Sequence, residues 1–202
     1  MKLRILGRKL EMTQIYLDGG EIVPVTIIDC SQCVVAKVIE DKQSGSTAIQ
    51  LGIGIAKKPS KPVAGQYKSL DTPKHIKEFP LTEDEKPAKV GSSVKVTDFE
   101  DLPFVNIVAI SKGKGFSGVI KRHGFSRGPE THGSDHHRKP GSIGAMFPQR
   151  VLKGQKLPGH MGNAQITVKN SKIVSIDKTN NLLAVKGAVP GSRGNLVTIV
   201  SN

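Results

Sequence analysis

The sequence predicts a mainly β protein, a barrel or sandwich with little helix, interrupted by a long basic loop rich in glycine. Three observations carry that expectation. Nine short runs of β-branched and apolar residues are bounded by Gly, Asn, Asp or Pro, the punctuation of a β-barrel or sandwich. Residues 111–163 break this rhythm and hold 11 of the chain's 22 glycines. The same quarter carries ten Lys/Arg and two acids, a net of +8 out of +13 for the whole chain.

Taken in order, the first fourteen residues (MKLRILGRKLEMTQ) have scattered charges. They lack the apolar core and cleavage site of a signal peptide. Strands are expected at 21–29 (EIVPVTIID), 33–40 (CVVAKVIE) and 47–54 (TAIQLGIG). Residues 56–90 open with a basic, proline-rich connector and read as an irregular or helical insertion, with one short helix near 64–70. Glu83, Asp84 and Glu85 read as a solvated turn. Further strands are expected at 92–98, 104–110, 165–169, 172–177, 181–186 and 196–200. Lys169-Asn170-Ser171-Lys172 and Lys178-Thr179-Asn180-Asn181 are candidate tight hairpins. The body is thus expected to be discontinuous, 1–110 and 164–202, with 111–163 as an extended loop.

The composition narrows the function. No apolar run reaches transmembrane length. Two cysteines are too few for a disulfide framework, which suits a reducing cytosol. A pI near 9.8 and a net charge of +13 point to a polyanionic partner, most often nucleic acid. Aromatic residues are only 4%, a thin supply for stacking on single-stranded bases. A disordered tail fits 111–163 poorly. The segment is internal and keeps Phe116, Val119, Ile120, Phe125, Ile143, Met146, Phe147, Val151 and Leu152. It reads as a loop that orders on a partner whose phosphates neutralise it.

Gly113-Lys114-Gly115-Phe116-Ser117-Gly118 fits G-x-G-x-x-G after an expected strand. A dinucleotide site needs a helix opening at the third glycine, and VIKRHGFSRGPE is poor helix material. No H-R-D or D-F-G follows to support a kinase, and no G-K-[ST] closes a Walker loop. Glycines that admit a bulky anion, with Lys112, Lys114, Lys121 and Arg122 as its counter-charge, are the simpler reading. Cys30-Ser31-Gln32-Cys33 lacks the second pair of a zinc ribbon and reads as a strand–turn–strand junction.

His132, Asp135, His136 and His137 resemble a metal site, but adjacent histidines diverge and Arg138 and Lys139 repel a dication. Histidine also donates to phosphate and ribose hydroxyl groups. Asp135 is expected to cap a turn or hold a basic neighbour. A metal-dependent hydrolase built on this loop and a generic nucleic-acid packaging protein are the competing classes.

At SKGKGFSGVIKRHGF (111–125) the chain closely resembles the large-subunit ribosomal protein L-three family in its bacterial-type form. Gly7-Arg8-Lys9-Leu10-Glu11-Met12-Thr13-Gln14 is similar to the family's opening G-x-K-x-G-M-T-Q, with Glu11 where glycine is usual. The KPVAGQY core at 61–67, His132-Gly133-Ser134, Pro140-Gly141-Ser142-Ile143-Gly144, Gly159-His160-Met161-Gly162-Asn163 and the final LAVKGAVPG at 183–191 continue the match. After Gly144, AMFPQRV is one residue shorter than the common form, so the methylated glutamine of some members is not carried over to Gln149.

The resemblance implies a translation-factor-type β-barrel and a loop reaching through 23S rRNA toward the peptidyl-transferase centre. It also implies rRNA binding early in large-subunit assembly, contacts with neighbouring ribosomal proteins and a cytoplasmic, non-enzymatic role. It implies no cofactor, metal, membrane or small-molecule substrate. The residues expected to bind rRNA are Lys112, Lys114, Lys121, Arg122, Arg127, His132, His136, His137, Arg138, Lys139, Arg150, Lys153 and Lys156. Gly113, Gly115, Gly118, Gly141 and Gly144 are expected to permit close packing.

Overall fold

The computed structural model describes residues 3–17, 19–40, 46–67, 70–82, 85 and 88–201. The chain divides into two compact units, Met1–Ile110 with Gln165–Asn202, and Ser111–Ala164.

In the first unit, β1 (Arg4–Tyr16), β2 (Ile22–Asp29), β6 (Phe104–Ile110), β9 (Gln165–Asp177), β10 (Leu182–Lys186) and β11 (Leu196–Ser201) form a closed barrel. Its order is β1-β11-β6-β9-β10-β2, and every neighbouring pair is antiparallel. Along β6, Val105, Ile107 and Ala109 are buried and alternate with less buried residues, the period of a strand with one face on a core. Register partners share a face, so Ile5 with Ile199, Ile199 with Ile107, Val197 with Ala109, and Leu183 with Ile28 line the same interior. Each Val, Leu or Ile among them contributes about 1.5–3 kcal/mol on burial.

The outer face of β1 and β11 is buried as well. Leu6 and Thr198 are register partners there. A second antiparallel sheet, β3 (Cys33–Glu40), β4 (Thr47–Ile55) and β5 (Pro73–Pro80), covers them. The Leu6 amide donates to Cys33 Sγ at 3.4 Å, and Lys77 Nζ donates to Thr198 Oγ1 at 3.2 Å. Val35, Leu51, Ile53 and Phe79 of this sheet join the barrel residues in one core.

Several expectations change. β1 and β5 were not expected. In β1 only Ile5, Leu6 and Gly7 are buried, and its second half pairs with β2 as a largely exposed ribbon, so no apolar run announces it. A bulge falls between Lys9 and Met12, across Leu10 and Glu11. β5 lies at a sheet edge inside the segment read as irregular or helical. Prolines at both ends and four charged or His residues between them suit an edge.

The helix α1 spans Lys61–Gln66, earlier than 64–70, of which residues 68 and 69 lie outside the described residues. The strand expected at 92–98 is instead a bridge at Ser93 followed by a 3-10 turn, Val96–Phe99, whose Val96 and Phe99 are fully buried. Their spacing of three is the repeat of that helix type.

Lys169–Lys172 is no hairpin. β9 runs straight through it with a bulge, where Asn170 takes φ 54° and its amide donates to Asn106 Oδ1 at 3.0 Å. The hairpin at 178–181 does form, with Asp177 Oδ1 accepting from the Thr179 and Asn180 amides. Glu83 and Asp84 lie outside the described residues; Glu85 is buried and ion-paired, not solvated.

Candidate nucleic-acid interface

Unit 2, Ser111–Ala164, is inserted between β6 and β9, whose end residues Ile110 and Gln165 are register partners. Antiparallel pairing continues into it as a stem. The Ser111 amide donates to Ala164 O, Lys114 to Met161 O and Met161 to Gly115 O, all at 2.9 Å. β7 (Phe116–Ser117) pairs with β8 (Gly159–His160). Gly162 takes φ 75°, and a Cβ there would run into the Lys112 carbonyl, so only glycine lets the two stem strands approach this closely.

The third glycine of the G-x-G-x-x-G motif does open a helix, contrary to expectation. It is α2 (Val119–His123), five residues capped by Gly118 and by left-handed Gly124. It is flanked by a two-residue antiparallel strand, not by the parallel β-α-β unit a dinucleotide site requires. Arg122 Nη1 donates to Leu157 O at 2.7 Å, and His123 Nε2 lies 3.0 Å from the same oxygen. Both side chains therefore fasten α2 to the chain just before β8 (Gly159–His160).

Beyond α2 the chain closes a small loop. The Gly128 amide donates to His137 O at 3.1 Å, and His137 Nδ1 donates to Pro129 O at 2.8 Å. Arg127 and Glu130 pair at 3.6 Å with both side chains exposed. Glu130, rather than Asp135, is the acid that holds a basic side chain here. His132 sits in the left-handed region at φ 57°. Among the described residues, no three His, Cys, Asp or Glu side chains converge as a metal would need. Residues 141–156 follow with every residue exposed and no helix or strand, and Met146 and Phe147 are 82% and 77% exposed.

Of the thirteen residues expected to contact RNA, twelve are exposed and His137 is half-buried. They are spread along the unit rather than gathered in one pocket. Arg122 already serves the stem through one guanidinium nitrogen. Within the chain, a Cβ at Gly115, Gly118, Gly141 or Gly144 would meet nothing within 4 Å, and at Gly113 only Asn163 at 3.6 Å. Gly115 and Gly141 have positive φ. Within unit 2 the crowded glycines are Gly128 against His136 O, Gly159 against Arg122, and Gly162. The sequence reading did not assign them that role; the spacing G-H-M-G opposite K-G-K-G was the available signal.

Cys30 and Cys33 flank the Ser31–Gln32 turn, free and buried. Burial pushes the Cys33 thiol up to about 11 and the Cys30 thiol higher still, with Cys33 and Asp29 adding to the latter. Thiols held protonated in this way are packing groups.

The model of the family described as "Ribosomal protein L3" matches residues 75–182, which include all of unit 2. The large ribosomal subunit protein uL3 of Shouchella clausii is 47% identical over 200 residues, covering 98% of this chain and 96% of the relative. Those of Pelotomaculum thermopropionicum and Carboxydothermus hydrogenoformans are each 45% identical over 199 residues, covering 96% of this chain and 94% and 95% of the relatives. Likeness of this degree along nearly the whole length places the chain in the ribosomal protein L3 family, a family of structural rather than enzymatic proteins.

Proposed function

We propose that this chain is a structural constituent of the large ribosomal subunit, and that unit 2 binds 23S rRNA directly. One observation carries the reading. A unit with a net charge of +8 presents nearly all its cations to solvent, and its sixteen residues 141–156 are exposed throughout. Among the described residues, none covers that segment. RNA supplies phosphates for Lys112, Lys114, Lys121, Arg127, Arg138, Lys139, Arg150, Lys153 and Lys156, while His132, His136 and His137 donate to phosphate or ribose hydroxyl groups. The open space around Gly115, Gly118, Gly141 and Gly144 leaves backbone accessible to RNA.

The barrel, of the translation-factor type in this reading, forms the preorganised body. The extension 111–163 enters clefts that a bulky domain cannot, reaching toward the peptidyl-transferase centre. Peptide transfer is left to the RNA. Binding early in assembly and contacts with neighbouring large-subunit proteins complete the proposal.

The test is a binding titration with a 23S rRNA fragment at several salt concentrations. If about five phosphates are neutralised, affinity falls on the order of 10²-fold between 50 and 200 mM salt. Affinity that ignores salt sinks the proposal. A competition with bulk RNA separates it from generic packaging, which predicts no preference. Subunit reconstitution with the chain added early or late tests the order of assembly.

A further inference from the structure

The loop 127–138 encloses a shallow open concavity of about 350 Å³ lined by Arg127, Glu130, His137 and Arg138. Three of these four are cationic or hydrogen-bond donating groups, and the fourth is an acid already lying against one of them. The loop is closed by its own bonds: the Gly128 amide to His137 O, and His137 Nδ1 to Pro129 O. That second bond commits one ring nitrogen and leaves Nε2 as the only one available to a ligand. A Cβ at Gly128 would strike His136 O, so the closure itself depends on glycine.

We propose that this concavity is a preformed seat for one phosphodiester group of the RNA, and that Glu130 is its placeholder. The inference rests on the rRNA reading above and names one subsite within it. Before binding, Glu130 neutralises Arg127 at 3.6 Å, with side chains 73% and 63% exposed. An ion pair that exposed is weak, so a phosphate oxygen displaces the carboxylate readily. The guanidiniums of Arg127 and Arg138 then face the phosphate, which accepts charge-assisted hydrogen bonds from them. No covalent step is involved. The acid keeps Arg127 from seizing unrelated anions and is expelled only when a phosphate arrives with further contacts on either side.

The experiment measures binding of the full chain and its variants to the 23S rRNA fragment at fixed salt. Glu130→Gln is expected to tighten binding about two- to five-fold, the equilibrium equivalent of an exposed pair no longer broken. Asp135→Asn removes the same charge from the same loop but does not line the concavity; it is expected to tighten binding clearly less. In an Arg127→Gln background the gain from Glu130→Gln should vanish. Equal gains from the two acid variants overturn the seat, as does a gain that survives Arg127→Gln. Those results would come with normal salt-dependent binding by the unaltered chain, whereas salt-independent binding by the unaltered chain strikes the rRNA reading instead. The substituted side chains are exposed, and circular dichroism confirms that each variant keeps its strands.

Discussion

Arg4 and Glu85, 81 positions apart, meet at 3.1 Å with side chains only 9% and 4% exposed. Arg4 begins β1 and also stacks its guanidinium 5.9 Å from the Phe79 ring of β5. Glu85 also accepts from the Thr82 amide at 3.3 Å. The pair joins the start of the barrel to the chain that follows the covering sheet. Removing one partner leaves a buried charge, so Glu85→Ala is expected to destabilise by about 3–5 kcal/mol. The double variant Arg4→Met with Glu85→Leu should recover most of that loss. Urea denaturation of the three proteins gives the comparison, and a double variant as unstable as the single would refute it.

Gly7 offers a second test, inside the barrel. A Cβ there would lie 2.5 Å from Ile28 Cγ2, 2.8 Å from Cys30 Sγ and 3.1 Å from Asp29 O. Two of these contacts are side chains packed in the core and the third is backbone. Gly7→Ala should lower stability by about 1–3 kcal/mol through overpacking. Pairing it with Cys30→Ala should relieve part of the strain. Thermal unfolding that leaves Gly7→Ala unchanged would show that the barrel yields there without resistance.

The two thiols predict a pH response. Their folded values lie above the ordinary thiol value of 9.0, Cys33 at about 11 and Cys30 higher. A raised folded value means the contribution to stability is complete below pH 9 and falls away as pH rises through 9 toward 11. Native protein at pH 8 should react with an alkylating reagent far more slowly than unfolded protein. Rapid modification of both cysteines under native conditions would contradict their burial.

In unit 2, Arg122 and Lys153 should behave differently. Lys153 is exposed in the segment without helix or strand. Lys153→Gln is expected to weaken rRNA binding and lower the salt slope by about one. Arg122 holds Leu157 O at 2.7 Å. Arg122→Gln should also loosen α2, seen as faster amide exchange at Gly124, whose amide bonds to Ile120 O. Identical exchange in both variants would remove the stem role assigned to Arg122.

Much of this was legible in the residues, for physical reasons that differ by place. β6 announced itself as FVNIVAI, a β-branched, apolar run bounded by turn residues, and the structure buries its Val105, Ile107 and Ala109. β1 and β5 did not, because an exposed ribbon and an edge strand carry polar residues where a central strand carries apolar ones. Asn170 looked like a turn because asparagine tolerates positive φ; the same tolerance serves a bulge, and only the Asn106 side chain across the sheet decides between them. Glu85 looked solvated because its partner lies 81 residues away. In unit 2 the charges could be counted from the sequence. That Arg122 serves the stem, and that Glu130 rather than Asp135 holds Arg127, depends on how the segment folds back.

The side-by-side ends of unit 2 have a consequence for how such a protein changes over time. Ile110 and Gln165 are register partners across one strand pair, and the Ser111 amide donates to Ala164 O just beyond them. Whatever lies between them begins and ends at one doorway. Closing a flexible insert of doubled length across that gap costs only about 0.6 kcal/mol more. The barrel is therefore nearly indifferent to the size of what it carries. Insertions and deletions can accumulate beyond the doorway while the strand register behind it stays unchanged.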